Sequence, residues 1–197
     1  MKKLLQKNTF LFKEHLGLLK ASNNYDVYDP QTKEIILHCR EKNLNPFYKI
    51  IRLLITELKS MTPFEIEISG LDGKKIIKLK KGLSLVIPKI EVFDENDKLI
   101  GHFKLKLFPV VNNFEIFDEK GNLVSKLKGS LIGWNFNFLK DENTVATVTK
   151  KWSGIGKELF TSADNYILDI KDDIEKTSPL RLLFFGAVIC IDMVLNE

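Results

Sequence analysis

The sequence predicts a mainly β protein: a closed antiparallel barrel with a hydrophobic helix from the C-terminus inside it. Three observations point there. A hairpin-like unit recurs along the chain. Each unit supplies only two strands, whereas a propeller blade needs about four. The C-terminal segment is apolar on every side of a helix, yet its uninterrupted apolar run covers only Leu182 to Ile191.

Four segments lie over one another: IEISGLDGKKIIKLKKG from Ile66, IEVFDENDKLIGHFKLK from Ile90, FEIFDEKGNLVSKLKGS from Phe114 and FNFLKDENTVATVTKKW from Phe136. Their starts are 24, 24 and 22 residues apart, and YDVYDPQTKEIILHCRE from Tyr25 has the same form. Each begins with the apolar–polar–apolar alternation of a half-buried strand. An Asp/Asn/Gly cluster follows, with residues that tolerate tight turns, and then a second β-patterned run. Carboxylates such as Asp94 and Asp97 are therefore turn formers. With flanking strands at Thr9–Lys13 and Trp152–Leu168 the count reaches about 10 to 12 strands. Closure removes the sheet edges, and a barrel that wide is too large for its own side chains to fill.

The helix suits that interior. Ser178-Pro179 sets its start, and Leu182 to Val194 is expected to be buried, with Gly186 and Ala187 allowing neighbouring backbones to come close. A bilayer span needs about 20 apolar residues and runs of about 10 to 14 more often belong to buried helices, so lipid is the alternative destination. A second helix follows Asn45-Pro46. Ile50, Ile51, Leu54, Ile55 and Leu58 form its stripe, Lys49, Arg52 and Lys59 fall outside it, and it is expected to pack on the outside of the same domain. The whole of 1–197 is read as one barrel domain with its central helix at about 179–195.

Composition agrees with a folded chain. Of 197 residues 44% are hydrophobic and 28% charged, with six prolines, which excludes disordered and low-complexity classes. A net charge of +4 is too mild to argue for nucleic acid. MKKLLQKN lacks the apolar region and cleavage site of a secretion signal. Cys39 and Cys190 do not make a disulfide framework, so a reduced, cytoplasmic protein is expected. His15, His38 and His102 show no metal-ligand spacing. Asp94-x-Asn96 starts like a calcium loop but Lys98 stands where a ligand should be. No nucleophile elbow, phosphate loop or other catalytic constellation is present, and no enzyme is expected.

Two stretches, KKWSGIGKELFTSADNYIL from Lys150 and GAVICIDMVLNE at the end, resemble the phospholipid scramblase family. Lys150, Lys151, Trp152, Ser153, Gly154, Glu158, Phe160, Thr161, Ala163, Asp164 and Asn165 fall in the family's order without gaps. The hairpins IEVFDENDKLIG and FEIFDEKGNLVSKL resemble its strand–turn repeats, and the likeness extends from about Tyr25 to Glu197. The same fold group includes LURP-one-related proteins and the tubby C-terminal domain. The resemblance implies a closed barrel of about 12 strands around a central C-terminal helix. It also implies a calcium segment, in which Asp164, Asn165, Asp169 and Asp172 would supply oxygen ligands. Ser162 departs from the acidic residue usual in animal members, and an acidic strand end is the simpler reading. No other cofactor is implied. Trp152 would pack near the barrel end.

Position-by-position overlay of the hairpins puts Lys78 and Lys80, His102 and Lys104, Lys126 and Lys128, then Val148 and Lys150 at equivalent places. Residues two apart share a strand face. Leu79, Phe103, Leu127 and Thr149 are then expected inside. The lysines are expected to form a basic stripe outside, facing acidic phospholipid or phosphoinositide, or merely solvent. The expected function is a non-enzymatic barrel module that binds a lipid headgroup or another anion at a cytoplasmic, membrane-associated surface. The alternatives are a lipid-translocating membrane protein anchored by its C-terminal helix, and a structural or protein-interaction barrel.

Overall fold

The computed structural model describes residues 6–15, 23–43, 45–54, 61–83, 89–106, 112–130, 134–150 and 165–195. Twelve antiparallel strands close into a barrel in which each strand pairs with its neighbours in sequence, and the first with the last. They are β1 (Thr9–Glu14), β2 (Asn24–Tyr28), β3 (Ile35–Glu41), β4 (Phe64–Gly70), β5 (Lys75–Lys81), β6 (Lys89–Phe93), β7 (Leu99–Lys106), β8 (Asn112–Asp118), β9 (Leu123–Ser130), β10 (Asn135–Lys140), β11 (Asn143–Thr149) and β12 (Asn165–Ile170). Helix α1 (Pro46–Leu54) lies between β3 and β4, and α2 (Pro179–Leu195) follows β12.

The repeat is a hairpin with a fixed irregularity. Ladder register slips within the β2–β3, β4–β5, β6–β7, β8–β9 and β10–β11 pairs. The extra residue is always β-branched: Ile36, Ile76, Ile100, Val124 or Val145. Each bulge bends its strand and adds twist, which helps a sheet curl into a barrel. The turns beside the bulges differ. Those at Gly73 (φ 75°), Asp97 (φ 61°) and Gly121 (φ 85°) end in the left-handed region, as a three-residue hairpin loop requires. In two of them an aspartate fastens the loop: Asp94 Oδ1 accepts from the amides of Asn96 and Lys98, both at 2.9 Å, and Asp118 does the same for Lys120 and Asn122. The β10–β11 turn has two residues, Asp141 (φ 48°) and Glu142 (φ 61°), one fewer than its neighbours.

Alternation points the expected positions inward. Ile66 and Ile68, Ile90 and Val92, Phe114 and Ile116, Phe136 and Phe138 are at most 1% exposed, as are Leu79, Phe103 and Leu127. Thr149 is not among them. In the last hairpin Ala146 and Val148 point inward instead, because the shorter turn moves every later residue of β11 to the other face.

Inside runs α2, about 25 Å long at 1.5 Å per residue, comparable to the strands around it. Every residue from Leu183 to Met193 is buried. Phe185 sits against Phe10 and Phe12 at centroid distances of 4.5 and 5.5 Å, and Phe184 against Phe138 at 4.4 Å. At Gly186 it is side chains that close in. An added Cβ would lie 2.7 Å from Leu79 and 3.3 Å from Phe103. Two polar residues fix the helix along the bore. At its start the fully buried Arg181 guanidinium donates to the carbonyls of Lys7 and Ile174. Near its end Asp192 accepts hydrogen bonds from the hydroxyls of Tyr25, at 2.5 Å, and Tyr166. Among the described residues no helix is long and apolar enough to cross a membrane. To serve as an anchor, α2 would have to leave the barrel it fills.

Candidate functional site

The barrel has two unlike ends. Hairpin turns close one, where α2 enters. The other carries α1, between β3 and β4.

Of the apolar stripe expected to pack inward on α1, Ile50 and Leu54 face outward and Ile51 is half-buried, while Ile55 and Leu58 lie outside the described residues. Phe47, Ile50 and Leu54 are 62%, 55% and 77% exposed, whereas Arg52, at 2%, is turned into the protein. The cause lies in distant residues. Arg52 Nη1 donates to both Glu41 carboxylate oxygens at 2.8 and 2.9 Å, Nε to Thr62 Oγ1 at 2.7 Å and Nη2 to the Pro63 carbonyl at 2.8 Å. A buried ion pair whose donors each find an acceptor holds that face down, so the apolar face is left outward. Asn45 caps the helix, its Oδ1 accepting from the Phe47 amide at 2.9 Å. Met61 and Leu83, in connections at the same end, are also exposed. So are Lys42, Lys49 and Lys80.

Beside α1 is a cavity of about 170 Å³, bordered by Lys42, Asn43, Tyr48, Glu65, Lys80 and Lys81 among others. Lys81 is the unusual member. It continues the inward series Ile77, Leu79, Lys81 and is 1% exposed. Its Nζ donates to the Thr62 carbonyl at 3.0 Å and lies 6.0 Å from the Phe64 ring centre. Burial, with a further push from the Arg52 charge, lowers its pKa to about 8. The alternation of β5 carries the signal for Lys81; an overlay of outer-face lysines passes over it.

The outer lysines divide. Lys78, Lys80, Lys104, Lys126 and Lys128 do stand on the outside of second strands, but acids from the first strands stand between them. Glu67 is directly opposite Lys78, and Glu65 and Glu91 flank Lys80. Glu115 separates Lys104 from Lys126. The wall is thus a checkerboard of both signs, written in the sequence as the Glu that follows each Ile66, Ile90 and Phe114. Lys78 pairs with Asp97 at 2.5 Å, and Lys126 and Lys128 with Glu142 at 3.8 and 3.5 Å. Lys104 lies over the Phe117 ring at 4.9 Å. Lys150 is not on this wall. It follows the inward parity of Val148 and sits over Trp134, 3.6 Å from the ring centre, and Tyr166, at 5.2 Å.

Of the proposed calcium ligands, Asp169 and Asp172 border one cavity, and Asn165 stands apart from them. Asn165 and Asp169 share a strand face four residues apart, about 13 Å at 3.3 Å per residue. Asp169 accepts from Thr9 at 2.8 Å, and Asp172 from Asn8 at 2.5 Å and Lys176 at 3.4 Å. Asp164 and Trp152 lie outside the described residues. Among the described residues no three His, Cys, Asp or Glu side chains are grouped to hold a metal. His15 and His38 meet at one carboxylate, however: a ring nitrogen of each lies within hydrogen-bond distance of Asp26, at 2.6 and 2.7 Å, and Arg40 donates to it at 2.6 Å. Burial alone would raise the Asp26 carboxyl, but these partners outweigh it and hold its pKa below the usual range. Cys39 and Cys190 are buried free thiols.

Among models of protein families, the one described as Scramblase matches residues 10–197. No curated protein and no solved structure gives a match.

Proposed function

Because the chain belongs to the scramblase family, we propose that it is a non-enzymatic, phospholipid-facing barrel that docks on an acidic membrane surface through the end that carries α1. The observation that carries this reading is the outward apolar face of α1. Phe47, Ile50 and Leu54 are exposed together on one helix, with Lys42, Lys49 and Lys80 exposed on the same end. Apolar side chains at the acyl boundary with lysines at headgroup level are how an interfacial helix binds anionic lipid. Lysines near such a surface contribute about 1 kcal/mol each, screened by salt. Lys78, Lys104, Lys126 and Lys128 on the wall add long-range attraction, reduced by the acids between them.

Cosedimentation with phosphatidylserine-containing vesicles tests this. Full burial of a Phe or Leu side chain is worth about 1.5 to 3 kcal/mol, and these are already partly covered. The double variant Phe47→Ser/Leu54→Ser should lose about 2 to 4 kcal/mol, roughly 30- to 1,000-fold in partitioning. Its melting temperature should hold. Changing Lys78, Lys80, Lys104, Lys126 and Lys128 together to Gln should weaken binding mainly at low salt. Unchanged partitioning of the double serine variant would reject the docking face.

A further inference from the structure

We propose that the cavity between α1 and the ends of β4 and β5 binds the phosphate of a phosphomonoester, with Lys42, Lys80 and Lys81 as its cationic lining. The starting observation is a buried cation with too few partners. The Lys81 ammonium has three donors. Among the described residues it meets one acceptor, the Thr62 carbonyl, and no carboxylate within 4.0 Å. Its neighbour Arg52 supplies no compensation, being itself a cation already matched by Glu41. An ammonium taken out of water without a counter-charge is costly, and an anion from outside offsets that cost.

The lining says which anion. Three lysines and one acid, Glu65, border it, and the Glu65 carboxylate accepts from Asn43 at 3.3 Å. Glu91 also stands across the ladder from Lys80 on the outer wall, so the local balance is positive by about one charge. A phosphomonoester carries about −1.5 to −2 near pH 7 and offers three acceptor oxygens. A carboxylate or a phosphodiester would offer fewer charged acceptor oxygens to these donors. The cavity of about 170 Å³ has room for several waters or one tetrahedral anion with its first ester carbons. Tyr48 of α1 borders it, so an ester substituent leaving the cavity passes along the helix that bears Phe47, Ile50 and Leu54. That arrangement fits a phosphatidate-like headgroup, and equally a small soluble phosphomonoester. This inference rests on the docking reading only for the lipid source of the phosphate.

The test separates the two sources. Wild-type protein is titrated with glycerol 3-phosphate and with inorganic phosphate, against sodium chloride of matched ionic strength, following thermal stability and the amide shifts of 41–43 and 78–83. In parallel, binding to phosphatidylcholine vesicles with and without phosphatidate is measured. Lys81→Met and Lys80→Gln are compared in both. A soluble phosphate that raises the melting temperature of wild type, with at least a tenfold affinity loss in Lys81→Met, supports the site. So does phosphatidate-dependent vesicle binding that falls at least tenfold in Lys81→Met while its melting temperature holds. Phe47→Ser/Leu54→Ser should keep the soluble response, so loss of vesicle binding alone rejects only the docking face. Should Lys81→Met not fold, Lys80→Gln carries the comparison. If no phosphate compound gives a response that depends on Lys80 or Lys81, the inference is overturned.

Discussion

Replacing Asp192 by Asn tests whether α2 belongs inside the barrel. In wild type one carboxylate, 4% exposed, accepts from two tyrosine hydroxyls that reach it from β2 and β12. The amide has nearly the same shape but one acceptor oxygen, and it brings a new donor. Tyr25 is fully buried and the only hydrogen bond of its hydroxyl among the described residues is to Asp192. Leaving one buried hydroxyl without its acceptor costs about 1 to 3 kcal/mol. For a chain of this length about 2 kcal/mol lowers the melting temperature by roughly 4 to 8 °C. The assay is urea and thermal unfolding followed by circular dichroism, extended to a cycle with Tyr25→Phe. Because both changes remove the same bond, Tyr25→Phe should cost less once Asp192→Asn is in place, with a coupling of about 1 kcal/mol or more. A helix seated in lipid would respond differently, since losing a charge there favours insertion. Stability within about 0.5 kcal/mol of wild type, the size of an ordinary surface substitution, or strictly additive effects would refute the reasoning.

Three further outcomes follow from buried or paired charges. Arg52→Met leaves Glu41 buried without its partner and should cost about 3 to 5 kcal/mol, read by urea unfolding, with faster amide exchange across α1. Lys81 holds fewer protons when folded than unfolded between pH about 8 and 10.5. Stability should therefore rise with pH across that window by up to about 3 kcal/mol, and in phosphate-free buffer Lys81→Met should be at least as stable as wild type at pH 7. Asp97 is held down to about 2 by hydrogen bonds from Lys75 and Lys78. A depressed carboxylate contributes above its unfolded pKa and loses that contribution as pH falls from about 4 through 2, so carbon-13 titration of its carboxyl should show the low midpoint and Asp97→Asn should flatten that part of the acid limb.

The barrel is legible in the sequence because its inward positions repeat at a nearly fixed spacing and its hairpin turns carry their own chemistry. Overlay by residue number misplaces Lys150 because it assumes equal loops. Asp141-Glu142 makes a two-residue turn, and one residue reverses every side chain beyond it. The α1 stripe marks a coherent apolar face but not its direction. That is decided by Glu41 on β3 and by Thr62 and Pro63 just ahead of β4, which give no local signal. The acid checkerboard is visible in the repeats as Glu67, Glu91 and Glu115, but which lysine each one faces is a matter of register. The Asp26 cluster joins His15, His38 and Arg40 across three neighbouring segments, so spacing along the chain cannot show it.

The proposed docking puts the α1 end, and not the hairpin-turn end, against lipid. The most direct measurement places an environment-sensitive fluorophore at Leu54→Cys and, in a second protein, at Leu123→Cys on the hairpin-turn end. Native Cys39 and Cys190 are fully buried, with burial pushing both thiols well up, so labelling is confined to the introduced residue. On adding anionic vesicles, the probe at position 54 should shift to the blue and become shielded from an aqueous quencher, while the probe at position 123 stays as it is in buffer. Equal responses at both ends, or a response only at position 123, would contradict docking through α1.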